Sequence, residues 1–139
     1  MITRLTPEEA RALLTASRVG RLGCVYYGGP HAVPINYVLD GESVYMHSMP
    51  GRKLEALRAN PRACLQVDEL TDSYHWRSAI AFGVYEEVSE PNERDHAVRL
   101  LLARFPNLTP VESGPVHDGQ SSVVIFRIRV DEVTGVGEK

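Results

Sequence analysis

HAVPINYVLDGESVYMHSMPGRKLEAL, from His31 to Leu57, holds the signals that decide the fold. His31 to Leu39 reads as a strand, Asp40-Gly41 as a hairpin turn, and Ser43 to Ser48 as the returning strand. Strands joined by so short a turn are antiparallel, because a parallel pair needs a crossover of about a dozen residues or more. Pro50 and Gly51 then break the strand. Arg52 to Ala59 reads as a short helix carrying Leu54 and Leu57 inward and stopping at Asn60-Pro61.

Working upstream, Arg21 to Tyr27 reads as a strand, and Gly28-Gly29-Pro30 as the turn into His31. Before it, Thr6 caps a helix, Pro7 suits its first position, and Glu9 completes a capping box. Ala10, Leu13 and Leu14 form that helix's apolar stripe, and Gly20 falls just past its expected end. Downstream, Arg62 to Asp68 alternates Ala63, Leu65 and Val67 on one face, as a half-buried strand does. Trp76 to Val88 reads as a long strand with small Ala79, Ala81 and Gly83 on one face, where a packed helix or a flat ligand can approach. Pro91 to Arg104 is a helix with Val98, Leu101, Leu102 and Phe105 as its apolar stripe. Pro106 to Gln120, with its prolines and glycines, reads as a loop, either a lid or an idle connection. Val123 to Val133 is the last strand. The expectation is one domain over residues 1–139, mainly β with peripheral helices, built as a six-stranded antiparallel barrel.

Composition narrows the function classes. The chain has 139 residues, 43% hydrophobic and 24% charged, which suits one soluble globular domain able to bury a core. No apolar run reaches membrane-span length and no signal-peptide pattern appears, so an intracellular, cytoplasmic protein without a membrane role is expected. A formal charge of −3 argues against a nucleic-acid partner. The basic residues are 13 Arg and 2 Lys, and Lys53 is the one lysine inside the chain. Cys24 and Cys64 lack CxxC spacing and sit in apolar strands, which suggests two buried free thiols. The five His residues (31, 47, 75, 96, 117) show no ligand spacing, so no metal is expected. P-loop, GxGxxG and GxSxG motifs are absent.

Three segments can carry chemistry. At His47-Ser48-Met49-Pro50-Gly51-Arg52-Lys53 a strand feeds a helix start, whose unpaired N–H groups and positive dipole end attract anions. Ser48 adds a hydroxyl, Gly51 permits close approach, and Arg52 and Lys53 add charge that the helix dipole alone disfavours there. This is a phosphate site in miniature, and its bland counterpart is a solvated basic helix start. In Val33-Pro34-Ile35-Asn36, Pro34 cannot donate to a ladder. It marks either a plain edge strand or one whose free backbone groups face a planar heterocycle. Tyr74-His75-Trp76-Arg77-Ser78 is an aromatic and cationic cluster in which Trp76 can stack on a ring or simply sit at a protein surface.

In order and spacing, GRLGCV (20–25), HAVPINYV (31–38), HSMPGRKLEAL (47–57), NPRACLQVDE (60–69) and WRSAIAFGVYEEV (76–88) resemble one known family. It is the FMN-binding split β-barrel family related to pyridoxamine 5′-phosphate oxidase, in the branch that includes nitroimidazole-resistance proteins. The resemblance implies FMN at a homodimer interface. By it, Val33, Pro34, Ile35 and Asn36 would meet the isoalloxazine ring, and Met46, His47 and Ser48 would flank the ribityl chain and phosphate. Arg52 and Lys53 would hold the phosphate, and Trp76, Arg77 and Ser78 would lie near the ring. The last strand, SSVVIFRIRVDEVTGVGEK, carries no Trp. That departs from the enzymes that make the vitamin cofactor and argues against oxidation of pyridoxamine phosphate.

The expectation that follows is an FMN-dependent oxidoreductase that reduces a small electrophilic or nitro-type compound with a reduced nicotinamide. No catalytic residue is assigned, because a bound flavin carries the redox chemistry itself. Two alternatives stay open. One is a flavin or haem binder without turnover, with His47 or His75 as axial ligand. The other is a deazaflavin (F420) reductase using the same phosphate site.

Overall fold

The computed structural model describes residues 1–106 and 123–138. Eight strands and three helices follow in the order β1 (Ile2–Arg4), α1 (Pro7–Ala16), β2 (Val19–Tyr26), β3 (Gly29–Asn36), β4 (Val38–Asp40), β5 (Ser43–Ser48), α2 (Arg52–Ala59), β6 (Arg62–Asp72), β7 (His75–Glu87), α3 (Pro91–Arg104) and β8 (Val124–Glu138). All strand pairs are antiparallel, in the order β3-β2-β6-β7-β8-β5-β4, with β1 on β8. The two ends of this path, β3 and β4, are separated in sequence by Tyr37 alone. The sheet must therefore curl until its edges meet at that residue, and the result is a barrel split along the β3/β4 seam.

Tyr37 is the reason the expected strand His31–Leu39 is two strands. Its side chain is fully buried and its hydroxyl donates to the Leu14 carbonyl on α1, so the chain turns inward and leaves one sheet edge for the other. This split and the three-residue β1, too short for a periodic signal, raise the count from six strands to eight. Burial pushes the Tyr37 phenol up to about 12. A phenol raised in the folded state stabilises the fold below its ordinary value near 10 and loses that contribution as pH climbs to about 12. Stability should fall by about 2 kcal/mol across that window, and Tyr37→Phe should flatten the decline. Urea unfolding at pH 9 and pH 12 measures both; an equal slope in the two proteins refutes the assignment.

Two hairpin turns lie one residue away from their expected places. Tyr26 pairs with Gly29, so the turn is Tyr27-Gly28, and Asp40 pairs with Ser43, so the turn is Gly41-Glu42. Gly41 takes the positive φ there, at 59°. The Thr6 capping box and Pro7 open α1 as expected, but α1 ends at Ser17, whose hydroxyl and amide both bond the Leu13 carbonyl. Gly20 instead lies within β2, where a Cβ would come 2.8 Å from Leu65 Cδ1. β8 runs five residues beyond the expected Val133, because Gly135 and Gly137 leave room for Leu5 and Ala10 instead of ending the strand.

The barrel interior holds the main core, with Leu13, Leu14, Leu22, Leu54, Leu57, Leu65, Phe126 and Ile128 among its members. The small residues of β7 serve two purposes. Ala79 and Ala81 are fully buried on the face that α1 covers, and Gly83 lets the β8 backbone approach at a bulge. A second cluster forms where α3 packs over β4, β5 and β8. There the buried stripe is Ala97 and Leu101, while the expected Leu102 is 38% exposed. Arg127 ties this layer together, bonding Glu86 at 2.7 Å and Glu93 at 2.6 Å. Cys24 is buried and Cys64 only half-buried; both thiols are free. Cys24 pairs with Ala63 and Cys64 with Gly23, so the two side chains leave the sheet on opposite faces. The loop expected at Pro106–Gln120 lies, apart from Pro106, outside the described residues. Among those residues, no helix is long and apolar enough to cross a membrane.

Candidate functional site

α2 begins without a side-chain cap. Its N-cap is Gly51, in extended geometry at φ 167°, and among the described residues no side chain caps the first amides. The Ser48 hydroxyl, at the end of β5, donates to the Met49 carbonyl at 2.9 Å and braces the turn into the helix. Arg52 is exposed and Lys53 half-buried, and neither forms an ion pair among the described residues. Burial pushes the Lys53 ammonium down, with Cys24 opposing that shift. A desolvated cation without a carboxylate partner, beside open helix amides, is short of negative charge. The residues present therefore fit a phosphate group.

The β3 residues divide by strand alternation. Val33 and Ile35 face the core, while Pro34 is exposed and Asn36 half-buried on the opposite face. β3 is an edge strand of the sheet path. Register carries Pro34 to Arg21, Gln66 and Ile80 on successive strands; Asn36, two residues on from Pro34, pairs with Val19, and Ser78, two residues before Ile80, pairs with Asp68. Pro34, Asn36 and Ser78 thus share the outer face, with β3 and β7 three strand spacings, or roughly 14 Å, apart. Between them lies a polar row that the sequence reading missed. Gln66 Nε2 donates to Ser78 Oγ at 3.0 Å and to Asp68 Oδ2 at 3.3 Å, and Arg21 pairs with Asp68 at 3.5 Å. The outward positions of the 60–69 motif contained that signal.

The remaining expected site residues lie elsewhere. Met46 is fully buried in the core, so only its backbone can face a ligand. His47 and Ser48 are half-buried at the end of β5. Trp76 donates from Nε1 to Glu138 at 3.3 Å, and Arg77 pairs with Glu69 at 2.9 Å. They line a cavity of about 280 Å³ with Arg4, His75 and Thr71. Met46 sits opposite Phe126, which sits opposite Glu87, whereas Trp76 is at the other end of β7. Eleven residues of β7, roughly 36 Å of extended strand, separate those two ends, too far along the sheet for one small ligand to touch both within a single chain. No group of three or more metal-ligating side chains occurs among the described residues.

This chain is similar to proteins with a common fold. An uncharacterized Rhizobium meliloti protein is 33% identical over 138 residues, covering 94% of this chain and 91% of its own. The crystal structure of a FAD-binding protein from Mesorhizobium loti superposes with a TM-score of 0.82 at 35% identity, covering 100% of this chain and 99% of that one. A Bacteroides thetaiotaomicron protein named for a proposed role in 5-nitroimidazole antibiotic resistance shares the fold, with a TM-score of 0.78, 19% identity, and coverage of 99% and 89%. The family model described as pyridoxamine 5′-phosphate oxidase matches residues 6–136, well past the Val88 limit of the sequence motifs. With the split barrel and the uncapped, cationic start of α2 in place, the chain belongs to the pyridoxamine 5′-phosphate oxidase family.

Proposed function

We propose that this protein binds a flavin by its phosphate at the start of α2 and uses it to reduce a small electrophilic or nitro-type compound, with a reduced nicotinamide as donor. One observation carries the reading: among the described residues, Arg52 and Lys53 stand without ion pairs beside the open amides of α2, with the Ser48 hydroxyl at the turn before it. The FAD-binding Mesorhizobium loti relative supports it, and FMN is the smallest flavin that satisfies such a site. The bound flavin supplies the electron transfer, while the chain's own residues hold its phosphate and exclude water.

A homodimer completes this reading. The Trp76-Arg77 cluster cannot reach a ligand held at Lys53 in the same chain, but a second copy can bring it there. The outer face of β2, β3, β6 and β7 offers a surface for that copy. It carries the row Ala32, Gly23, Cys64 and Phe82 in a shallow groove of about 500 Å³. Two free thiols fit a reducing, cytoplasmic setting.

Titration of the purified protein with FMN, F420 and haem in turn tests the reading by visible absorption, with sedimentation velocity reporting oligomeric state. Saturable flavin bands near roughly 370 and 450 nm on a dimer are the expected result. A Soret band instead would move the assignment to haem. No flavin uptake would refute the phosphate site.

A further inference from the structure

The β2–β3 hairpin turn is built from an unfavourable residue. Tyr27 and Gly28 both adopt positive φ, 50° and 79°, as a type I′ turn requires. Gly, Asn and Asp suit the first of these positions, whereas a bulky aromatic there is strained. Tyr27 does not offset that strain by burial, being 86% exposed. Its ring meets Tyr26 edge-on at 4.4 Å between centroids, and Tyr26 lies against His31 at 5.0 Å and 31°. The hairpin thus presents an aromatic wall.

That wall borders a groove of about 370 Å³ whose other side is α2. Arg52, Glu55, Ala56 and Ala59 follow i, i+3, i+4, i+7 spacing, so they form a single face of the helix toward Tyr26 and Tyr27. Ala56 and Ala59 make an apolar floor. Arg52 and Glu55, although helical neighbours, form no ion pair with each other or with another described residue. A groove with an aromatic wall, a small apolar floor, one cation and one carboxylate matches three parts of one ligand. Rings stack a base, a carboxylate accepts from a ribose diol, and an arginine beside open helix amides holds phosphate.

We propose that this groove binds the adenosine phosphate half of a dinucleotide, with the base on Tyr27 and Tyr26, the ribose at Glu55 and the phosphate at Arg52. The inference deepens the flavin reading, sharing Arg52 with it. It makes the full ligand either a flavin adenine dinucleotide or a nicotinamide adenine dinucleotide that reaches a flavin already bound.

Binding of ADP, FMN and FAD to the wild type, Tyr27→Asn and Glu55→Gln, followed calorimetrically, tests this. NADH added to FMN-loaded protein forms a fourth arm. Asn suits the left-handed turn, so Tyr27→Asn should keep its melting temperature. It should also bind ADP about tenfold more weakly than the wild type while FMN affinity stays unchanged. Glu55→Gln should lose ADP affinity in the same direction. A wild-type preference for FAD over FMN that Tyr27→Asn abolishes identifies the flavin dinucleotide. A loss confined to ADP and NADH identifies the nicotinamide one. The proposal is overturned if ADP does not bind the wild type, if Tyr27→Asn leaves ADP affinity intact, or if FMN weakens as much as ADP. Failure of FMN to bind the wild type, whatever ADP does, refutes the flavin reading separately.

Discussion

Replacing both Arg52 and Lys53 with Ala should release flavin while leaving the barrel intact. Each cation would contribute one charge-assisted hydrogen bond to the phosphate, worth about 1.5–3 kcal/mol. Losing two therefore weakens binding by about a hundredfold or more. Lys53 should account for the larger share, because it is half-buried and interactions strengthen where water is excluded. The fold has little to lose. Among the described residues neither side chain belongs to the core or forms an ion pair, and Ala is the better helix former. Flavin fluorescence titration and a thermal melt of the same preparation read the two effects independently. Flavin affinity within about threefold of the wild type would remove the phosphate from this helix start. Loss of affinity together with loss of the melting transition would instead make Arg52 and Lys53 structural.

Gly83→Ala should be the most destabilising single methyl in the barrel. At the bulge between β7 and β8 a Cβ on residue 83 would fall inside the Arg129 carbonyl oxygen, 2.7 Å from Ile128 Cγ2 and 2.8 Å from the Arg129 carbonyl carbon. A flexible side chain can step aside from such a contact; backbone held in a ladder on both sides cannot. Relief requires β8 to move away from β7, and these two strands share the longest register in the sheet. The cost should be about 3 kcal/mol or more, at the upper end for overpacking, which lowers the melting temperature by roughly 10 °C. Gly20→Ala provides the contrast. Its nearest atom is Leu65 Cδ1, the end of a side chain that can turn, so a milder loss is expected there. Equal melting temperatures for the two variants would refute the argument from backbone rigidity.

The candidate site divides in the same way between chain-local and long-range effects. The start of α2 was legible because all its parts lie within seven residues, from His47 to Lys53, and helix capping acts over one turn. The polar row Arg21-Asp68-Gln66-Ser78 was not, because its members come from three strands whose register no short window specifies. Met46 comes just before the motif that begins at His47 and shares a strand face with Val44 and Ser48, but it lies inside β5 and is fully buried in the core, whereas Ser48 ends the strand and is half-buried. The aromatic groove went unread for a related reason. The turn was expected at Gly28-Gly29-Pro30, which left Tyr27 in a strand; the pairing of Tyr26 with Gly29 put it at the exposed turn position facing α2.

Antiparallel architecture, the three helices with the Thr6 capping box, and the cationic helix start all follow from residues near one another in the chain. Their causes are local: hairpin turns, caps, and apolar periodicity at 2 or 3.6 residues. The order of strands, the split of one expected strand at Tyr37, and the distance between Trp76 and Lys53 depend on tertiary contacts instead. Tyr37 leaves its strand because its hydroxyl reaches Leu14, 23 residues away in sequence, and a buried phenol must find a partner. Together with the Tyr37 amide, which donates to the Arg18 carbonyl at 3.4 Å, that bond anchors the barrel seam. The same closure leaves the start of α2 and the Trp76 cluster toward opposite ends of β7.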